Sequence, residues 1–129
     1  MSDEHGVMEV IRIISDIRVP DVDGAKSFYT DFLGLQVEEF NLGWVARFTA
    51  LSPSTYDQTV RIQLVTRDAS APVDAVASVL TPDVVAAHYE AVQRGYEIVY
   101  PLTRERWGVH RFFVRAPDGN VFNIVAHDS

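Results

Sequence analysis

The chain states one plan twice, and that duplication limits its fold more than any single motif. "RVPDVDGAKSFYTDFLG" (18–34) and "LTPDVVAAHYEAVQRG" (80–95) each end an apolar run with a Pro-Asp pair, continue as a helical stretch and stop at a glycine. In the first copy Ala25, Phe28, Tyr29, Phe32 and Leu33 fall at i, i+3, i+4, i+7 and i+8, the spacing of one helix face. Asp21 or Asp23 is the expected cap and Gly34 the expected left-handed stop. The second copy puts Val85, Tyr89 and Val92 on one face, with Asp83 near its start and Gly95 at its end.

A β-rich run precedes each helix, at 9–19 and 73–80. Three more strand candidates follow each: 35–40, 44–50 and 60–66 in the first copy, then 96–102, 111–116 and 121–127 in the second. The loops "LSPSTYDQ" and "APDGN" have turn-forming composition. The chain therefore reads as βαβββ repeated, an α+β pattern. A tail (1–8) leads into a first module (9–66), a linker (67–72) and a second module (73–129), all within one domain.

Charge and composition narrow the function classes. Eighteen acidic residues against 11 basic give a formal charge of −7, the wrong sign for a nucleic-acid partner. There are no cysteines, which removes disulfides, thiolate nucleophiles and cysteine-held metals together. No apolar run approaches the roughly 20 residues that span a bilayer. The opening "MSDEHGVMEV" lacks the charged-then-apolar order of a signal peptide, so the cytoplasm is the default compartment.

With "VPDVDGAKSFYTDFLGL", "RWGVHRFFVRAPDGNVFNIV" and the doubled βαβββ order, the chain resembles the vicinal oxygen chelate superfamily. That superfamily includes glyoxalase I, extradiol dioxygenases, and fosfomycin- and bleomycin-resistance proteins. The resemblance runs over residues 9–127 and implies two tandem modules whose curved mixed sheets surround a shared concave cavity. It also implies a homodimer. In the metal-dependent members, the first and last strand of each module supply one ligand each, His, Glu or sometimes Gln. Carried over position by position, these places hold Ile14, Gln63, Ala77 and Asn123. Two apolar residues and two amides make a poor set for a divalent transition metal, so neither a metal nor another cofactor is expected. The members without the metal are largely binders that sequester drugs, and the segment from Arg104 to His127 is similar to the end of bleomycin-resistance proteins.

If Asn123 faces the cavity, strand parity assigns its neighbours. Arg12, Ile14, Asp16 and Arg18 face inward on the first strand, with Ile11, Ile13, Ile17 and Val19 on the helix side. Arg61, Gln63 and Val65 share an inner face, and Ala75, Ala77 and Val79 line it from the fifth strand. Asn123 then pairs with Gln63 or meets a ligand. Trp44, Phe48, Tyr56, Trp107, Phe112 and Phe113 supply rings that suit planar or cationic ligands. Trp107, beside Gly108, is the ring best placed to touch a ligand, and one of Phe112 and Phe113 faces inward. None of the four histidines, His5, His88, His110 and His127, takes a ligand position. His110 and His127 oppose each other if the intervening hairpin loop has four residues.

These readings converge on a metal-free cavity that binds a small aromatic or cationic, antibiotic-like molecule through Asp16, Trp44, Phe48, Arg61, Gln63, Trp107, Phe113 and Asn123. The alternative is a metal-independent isomerase or lyase working through Asp16, Glu105 or a histidine. A divergent metal-dependent glyoxalase or dioxygenase stands behind both.

Overall fold

Capping chemistry sets the helix starts. In the computed structural model, which describes residues 8–50, 61–67 and 71–127, Asp21 Oδ2 accepts the Gly24 N–H at 2.7 Å and opens α1 (Val22–Ser27). Asp83 Oδ1 accepts the Ala86 N–H at 3.0 Å and opens α2 (Val84–Gln93). Gly34 and Gly95 close the two helical stretches, each at a φ of 77°, a left-handed conformation that costs little without a Cβ. The expected caps and stops therefore form. Tyr56, His5 and the loop "LSPSTYDQ" lie outside the described residues.

Helix α1 is shorter than its apolar spacing implies. It passes into a single π turn, Phe28–Phe32, in which the Leu33 N–H donates to the Phe28 carbonyl at 3.1 Å. Such a turn takes in an extra residue and rotates the side chains that follow. Ala25 and Tyr29 pack on the core, whereas Phe28, Phe32 and Leu33 are exposed. The Phe28 and Phe32 rings stack on each other with centroids 5.4 Å apart. The face of α2 also differs from its reading in sequence. Val84, Ala87 and Ala91 are buried, and Val85, Tyr89 and Val92 are exposed. The small alanines let α2 lie close on Val79, Phe112 and Ile124, and His88 adds an edge-on contact to Phe112 at 5.0 Å.

The first module contributes β1 (Arg12–Arg18), β2 (Val37–Asn41), β3 (Val45–Thr49) and β4 (Arg61–Val65). Their order is β2-β3-β4-β1, with β1 parallel to β4 and the other pairs antiparallel. The second module repeats this with β5 (Ala77–Leu80), β6 (Glu97–Glu105), β7 (Val109–Arg115) and β8 (Val121–His127). Its order is β5-β8-β7-β6, and β5 is parallel to β8. Each module is thus a mixed four-stranded sheet whose last strand lies between the first and third, as the α+β reading requires. Chain contacts divide into two compact units at Ile13/Ile14 and Ser70/Ala71, with residues up to Ile13 in the same unit as the second module. The Ile11 N–H donates to the Leu80 carbonyl at 2.8 Å within that unit.

Each sheet turns one face to its own helix. Under α1 pack Val19, Leu35, Ala46, Phe48 and Leu64, with Ile17 and Ile62 beside them. Under α2 pack Val79, Phe112 and Ile124, with Val114 and Phe122 beside them. Ile11 and Ile13, expected in the helix-side core, are 52% and 62% exposed, because they precede the stretch of β1 that α1 covers.

Candidate functional site

Because Ile17, Phe48 and Leu64 point toward α1, strand alternation sends Asp16, Arg47 and Gln63 to the opposite face. The register sets Gln63 opposite Asp16 on one side and opposite Arg47 on the other. Arg47 donates from Nε and Nη2 to Gln63 Oε1 at 2.9 and 2.7 Å. Gln63 donates from Nε2 to Asp16 Oδ1 at 2.5 Å. The Arg47 guanidinium also lies 4.9 Å from the centre of the Phe40 ring. Every residue of β3 is buried, and polar groups placed this deep need partners. Farther out, Arg61 Nε bonds both carboxylate oxygens of Glu39, at 2.9 and 3.1 Å.

The second module carries a comparable row. Its β5–β8 register sets Ser78 opposite Asn123, and β7 sets Phe113 opposite Asn123. Asn123 Nδ2 donates to Ser78 Oγ at 3.1 Å. Asn123 Oδ1 is buried with no hydrogen-bond partner among the described residues. On the same face Arg111, 4% exposed, donates from Nε to Glu105 Oε2 at 2.7 Å. The Tyr100 hydroxyl donates to that oxygen at 2.8 Å. The rings of Tyr100, Trp107 and Phe113 stand 5.1, 5.3 and 5.1 Å from the Arg111 guanidinium. Ala71, Val73 and Ala75, from a stretch with no helix or strand, pack over Phe113 and Val121.

The structure distributes the sequence-derived candidates unevenly. Asp16 and Gln63 are joined directly, and Asn123 and Phe113 face one another across β7 and β8. Gln63 and Asn123 each bond within their own module. Phe113 takes the face of Asn123 and Phe112 the face of α2, which resolves the "FF" pair. Trp107 stacks on Arg111. Trp44 is half-buried in the β2–β3 hairpin, where its carbonyl accepts the Thr66 N–H at 2.9 Å. Phe48 lies in the core under α1, at 1% exposure. It also floors an open depression of about 460 Å³ lined by Lys26, Thr30, Asp31, Gln36 and Glu38, on the α1 side of the sheet.

Several residues of these rows were not singled out in the sequence. Arg47 shares strand parity with Val45 and Thr49, so it was legible once Phe48 was assigned to the core. Ser78 carried a clearer signal. The two Pro-Asp pairs align Pro20 with Pro82, and the same offset puts Ser78 on Asp16 and Val76 on Ile14. The expected inward positions Ala77 and Val79 are off by one. Ala77 pairs with Phe122 and Val79 with Ile124, all on the α2 side. The histidines are off by one as well. Arg115 pairs with Val121, which leaves five residues in the hairpin loop and sets His127 opposite Val109 and His110 opposite Ala126.

The donor set does not fit a metal. Ile14 and Val76 offer no lone pair, and Gln63 Oε1 already accepts two bonds from a guanidinium. A divalent ion there would sit beside the positive charge of Arg47. Among the described residues no group of three His, Asp or Glu side chains can hold a metal ion.

Comparison with known proteins gives the fold a name. Residues 10–124 match the model of the Glyoxalase/Bleomycin resistance protein/Dioxygenase superfamily. No curated protein matches. Among solved structures, one titled as an NAD-dependent benzaldehyde dehydrogenase from Legionella pneumophila superposes with a TM-score of 0.69 at 16% identity, covering 91% of this chain and 100% of that one. The methylmalonyl-CoA epimerase of Mycobacterium tuberculosis gives 0.64 at 19% identity, over 96% and 93% of the two chains. The Mn(II)-bound glyoxalase of Novosphingobium aromaticivorans gives 0.63 at 21% identity, over 93% of this chain and 40% of that one. At these identities the likeness shows the fold.

Proposed function

We propose that this chain, which belongs to the Glyoxalase/Bleomycin resistance protein/Dioxygenase superfamily, binds a small aromatic, antibiotic-like molecule on a sheet face turned away from its helix, without a metal. One observation carries the reading. Among the described residues Asn123 Oδ1 is a buried acceptor with no partner, and an unmade bond of this kind costs roughly 1–3 kcal/mol. A ligand O–H or N–H donated to that oxygen recovers the loss. The neighbours Phe113, Val121 and Tyr100 supply an apolar, aromatic surround for a ring. Access follows from displacing the irregular stretch 71–76, whose Ala71, Val73 and Ala75 pack over them and whose Val76 N–H donates to the Val121 carbonyl at 2.9 Å.

Sequence composition admitted a cationic ligand as well as an aromatic one. The reading narrows to aromatic because Trp107, Tyr100 and Phe113 already surround the protein's own cation, Arg111. The metal-independent isomerase or lyase remains the second reading, favoured by the Glu105 carboxylate held by Arg111 and Tyr100. The protein is further proposed to be a cytoplasmic homodimer. Among the described residues no helix is long and apolar enough to cross a membrane, and Ile11, Ile13, Phe28 and Phe32 leave apolar surface for a second copy. Sedimentation velocity at micromolar concentration checks the dimer, and a single monomeric species overturns it.

The direct test is calorimetric titration of phenol into chelator-treated protein, followed by mass analysis of the mixture. Saturable binding with phenol recovered unchanged supports a binder. Failure of phenol and of a wider set of ring compounds to bind overturns the reading. Chemical conversion of any bound compound supports the enzyme instead.

A further inference from the structure

The two modules build the same row across their sheets, with one exchange that leaves a place open. In the first, Asp16, Gln63, Arg47 and Phe40 stand side by side on β1, β4, β3 and β2. In the second, Ser78, Asn123, Phe113 and Tyr100 stand side by side on β5, β8, β7 and β6. The outer ladders shift register at the same point, between Glu38 and Phe40 in one and between Ile98 and Tyr100 in the other. Position for position, Ser78 stands for Asp16, Asn123 for Gln63, Phe113 for Arg47 and Tyr100 for Phe40.

The amide nitrogen does the same in both rows: Gln63 Nε2 donates to Asp16, and Asn123 Nδ2 donates to Ser78. The amide oxygens differ. Gln63 Oε1 accepts two N–H bonds from the planar Arg47 guanidinium, at 2.9 and 2.7 Å, and that guanidinium lies 4.9 Å from the Phe40 ring centre. Asn123 Oδ1 is buried and accepts none among the described residues, since the phenyl ring of Phe113 has no donor to offer. Charge has left the row as well. Arg47 and Asp16 are opposite charges on either side of one amide, whereas Phe113 and Ser78 are both neutral. Glu105, the carboxylate beside this row, is held by Arg111. A cation brought to Asn123 would lose water without gaining an anion from the row, and a buried charge left unpaired is costly.

We infer that the ligand carries a neutral, planar NH2 group joined to its ring, as in an aromatic carboxamide, and that this group takes at Asn123 the place the Arg47 guanidinium takes at Gln63. The inference rests on the reading of the protein as a binder of small aromatic molecules, and it adds which polar group the ring bears. Benzamide, acetophenone and benzamidine separate the two ideas. Their outlines are nearly the same, but acetophenone has no N–H and benzamidine is a cation at neutral pH.

Calorimetry or ligand-observed NMR on the full chain at neutral pH is expected to show benzamide binding about tenfold more tightly than acetophenone, the worth of a hydrogen bond to a buried acceptor otherwise left unmade. Benzamidine should also bind about tenfold more weakly than benzamide. Ser78→Asp restores the carboxylate of the first row, and there benzamidine should bind at least as tightly as benzamide. Should Ser78→Asp not fold, the three-way comparison on the unsubstituted protein still decides. Acetophenone or benzamidine binding as tightly as benzamide to that protein, or a folded Ser78→Asp that still prefers benzamide, overturns the inference and leaves the aromatic reading standing. If none of the three binds at millimolar concentration while phenol does, the inference alone falls. If phenol fails too, both fall.

Discussion

Gln63 and Asp16 face each other across the parallel β1–β4 ladder and are joined by an amide-to-carboxylate hydrogen bond of 2.5 Å. The other end of the same amide accepts two bonds from Arg47. One neutral side chain therefore separates a buried arginine from a half-buried aspartate and satisfies both. Gln63→Leu removes donor and acceptor together from between two charged groups, at a place that is 6% exposed. It should cost about 2–4 kcal/mol, read as a fall in the urea midpoint. Arg61→Ala, which breaks a partly exposed ion pair with Glu39, should cost no more than about 1 kcal/mol. If the two substitutions cost the same, the chain from Arg47 to Asp16 does not support the fold as described.

Asn123 poses the opposite case. Among the described residues its Oδ1 lacks a partner and its Nδ2 bonds Ser78. Asn123→Leu keeps the volume, loses one neutral hydrogen bond and removes a buried orphan. The expected change in stability is therefore small, within about 1 kcal/mol of zero, while phenol binding should weaken about tenfold or more. A large loss of stability with unchanged phenol affinity would place Asn123 in the scaffold and not in the site.

The cluster around Arg111 is structural by its geometry. Arg111→Met leaves the Glu105 carboxylate, whose side chain is 9% exposed, without its cation, at a cost of about 3–5 kcal/mol. Tyr100→Phe removes one bond to the same oxygen and should cost about 1–2 kcal/mol. Trp107 fluorescence is expected to shift on Arg111→Met, because the guanidinium lies 5.3 Å from the ring centre. An unchanged spectrum would contradict that stacking.

How far the sequence reveals this protein depends on whether a signal is local. Asp21, Asp83, Gly34 and Gly95 act within one turn of chain, and the boundaries they imply are where the structure has them. Doubled Pro-Asp pairs likewise carried the order of elements. Strand parity is less secure, because it needs an anchor. On β8 the parity placed Asn123 on the face away from the helix, but the choice between Phe112 and Phe113 waited on the hairpin register. On β5 it was displaced by one residue, which hid Ser78 behind Ala77. The π turn after Ser27 rests on a single hydrogen-bond slip that no residue of "FYTDF" announces. Partners such as Arg47 and Gln63 meet only through strand register, so their bond is a property of the sheet and not of either segment.

Divalent metals give a further check on the ligand set. Nickel, zinc or manganese added at about 100 µM should leave the melting temperature within about 1 °C of the chelator-treated protein, since a ligand that does not bind the native state does not stabilise it. A rise of several degrees with one of these ions would show a metal site and reopen the glyoxalase and dioxygenase chemistries.

The central claim is that Asn123 offers its amide oxygen to an aromatic ligand without help from a metal. NMR of the Asn123 side-chain amide reports on it most directly. With chelator present, titration with phenol should move that resonance progressively and saturably, and anisole, which has the ring but no O–H to donate, should move it much less. A resonance that stays still with both compounds, or that responds only after metal is added, would contradict the account.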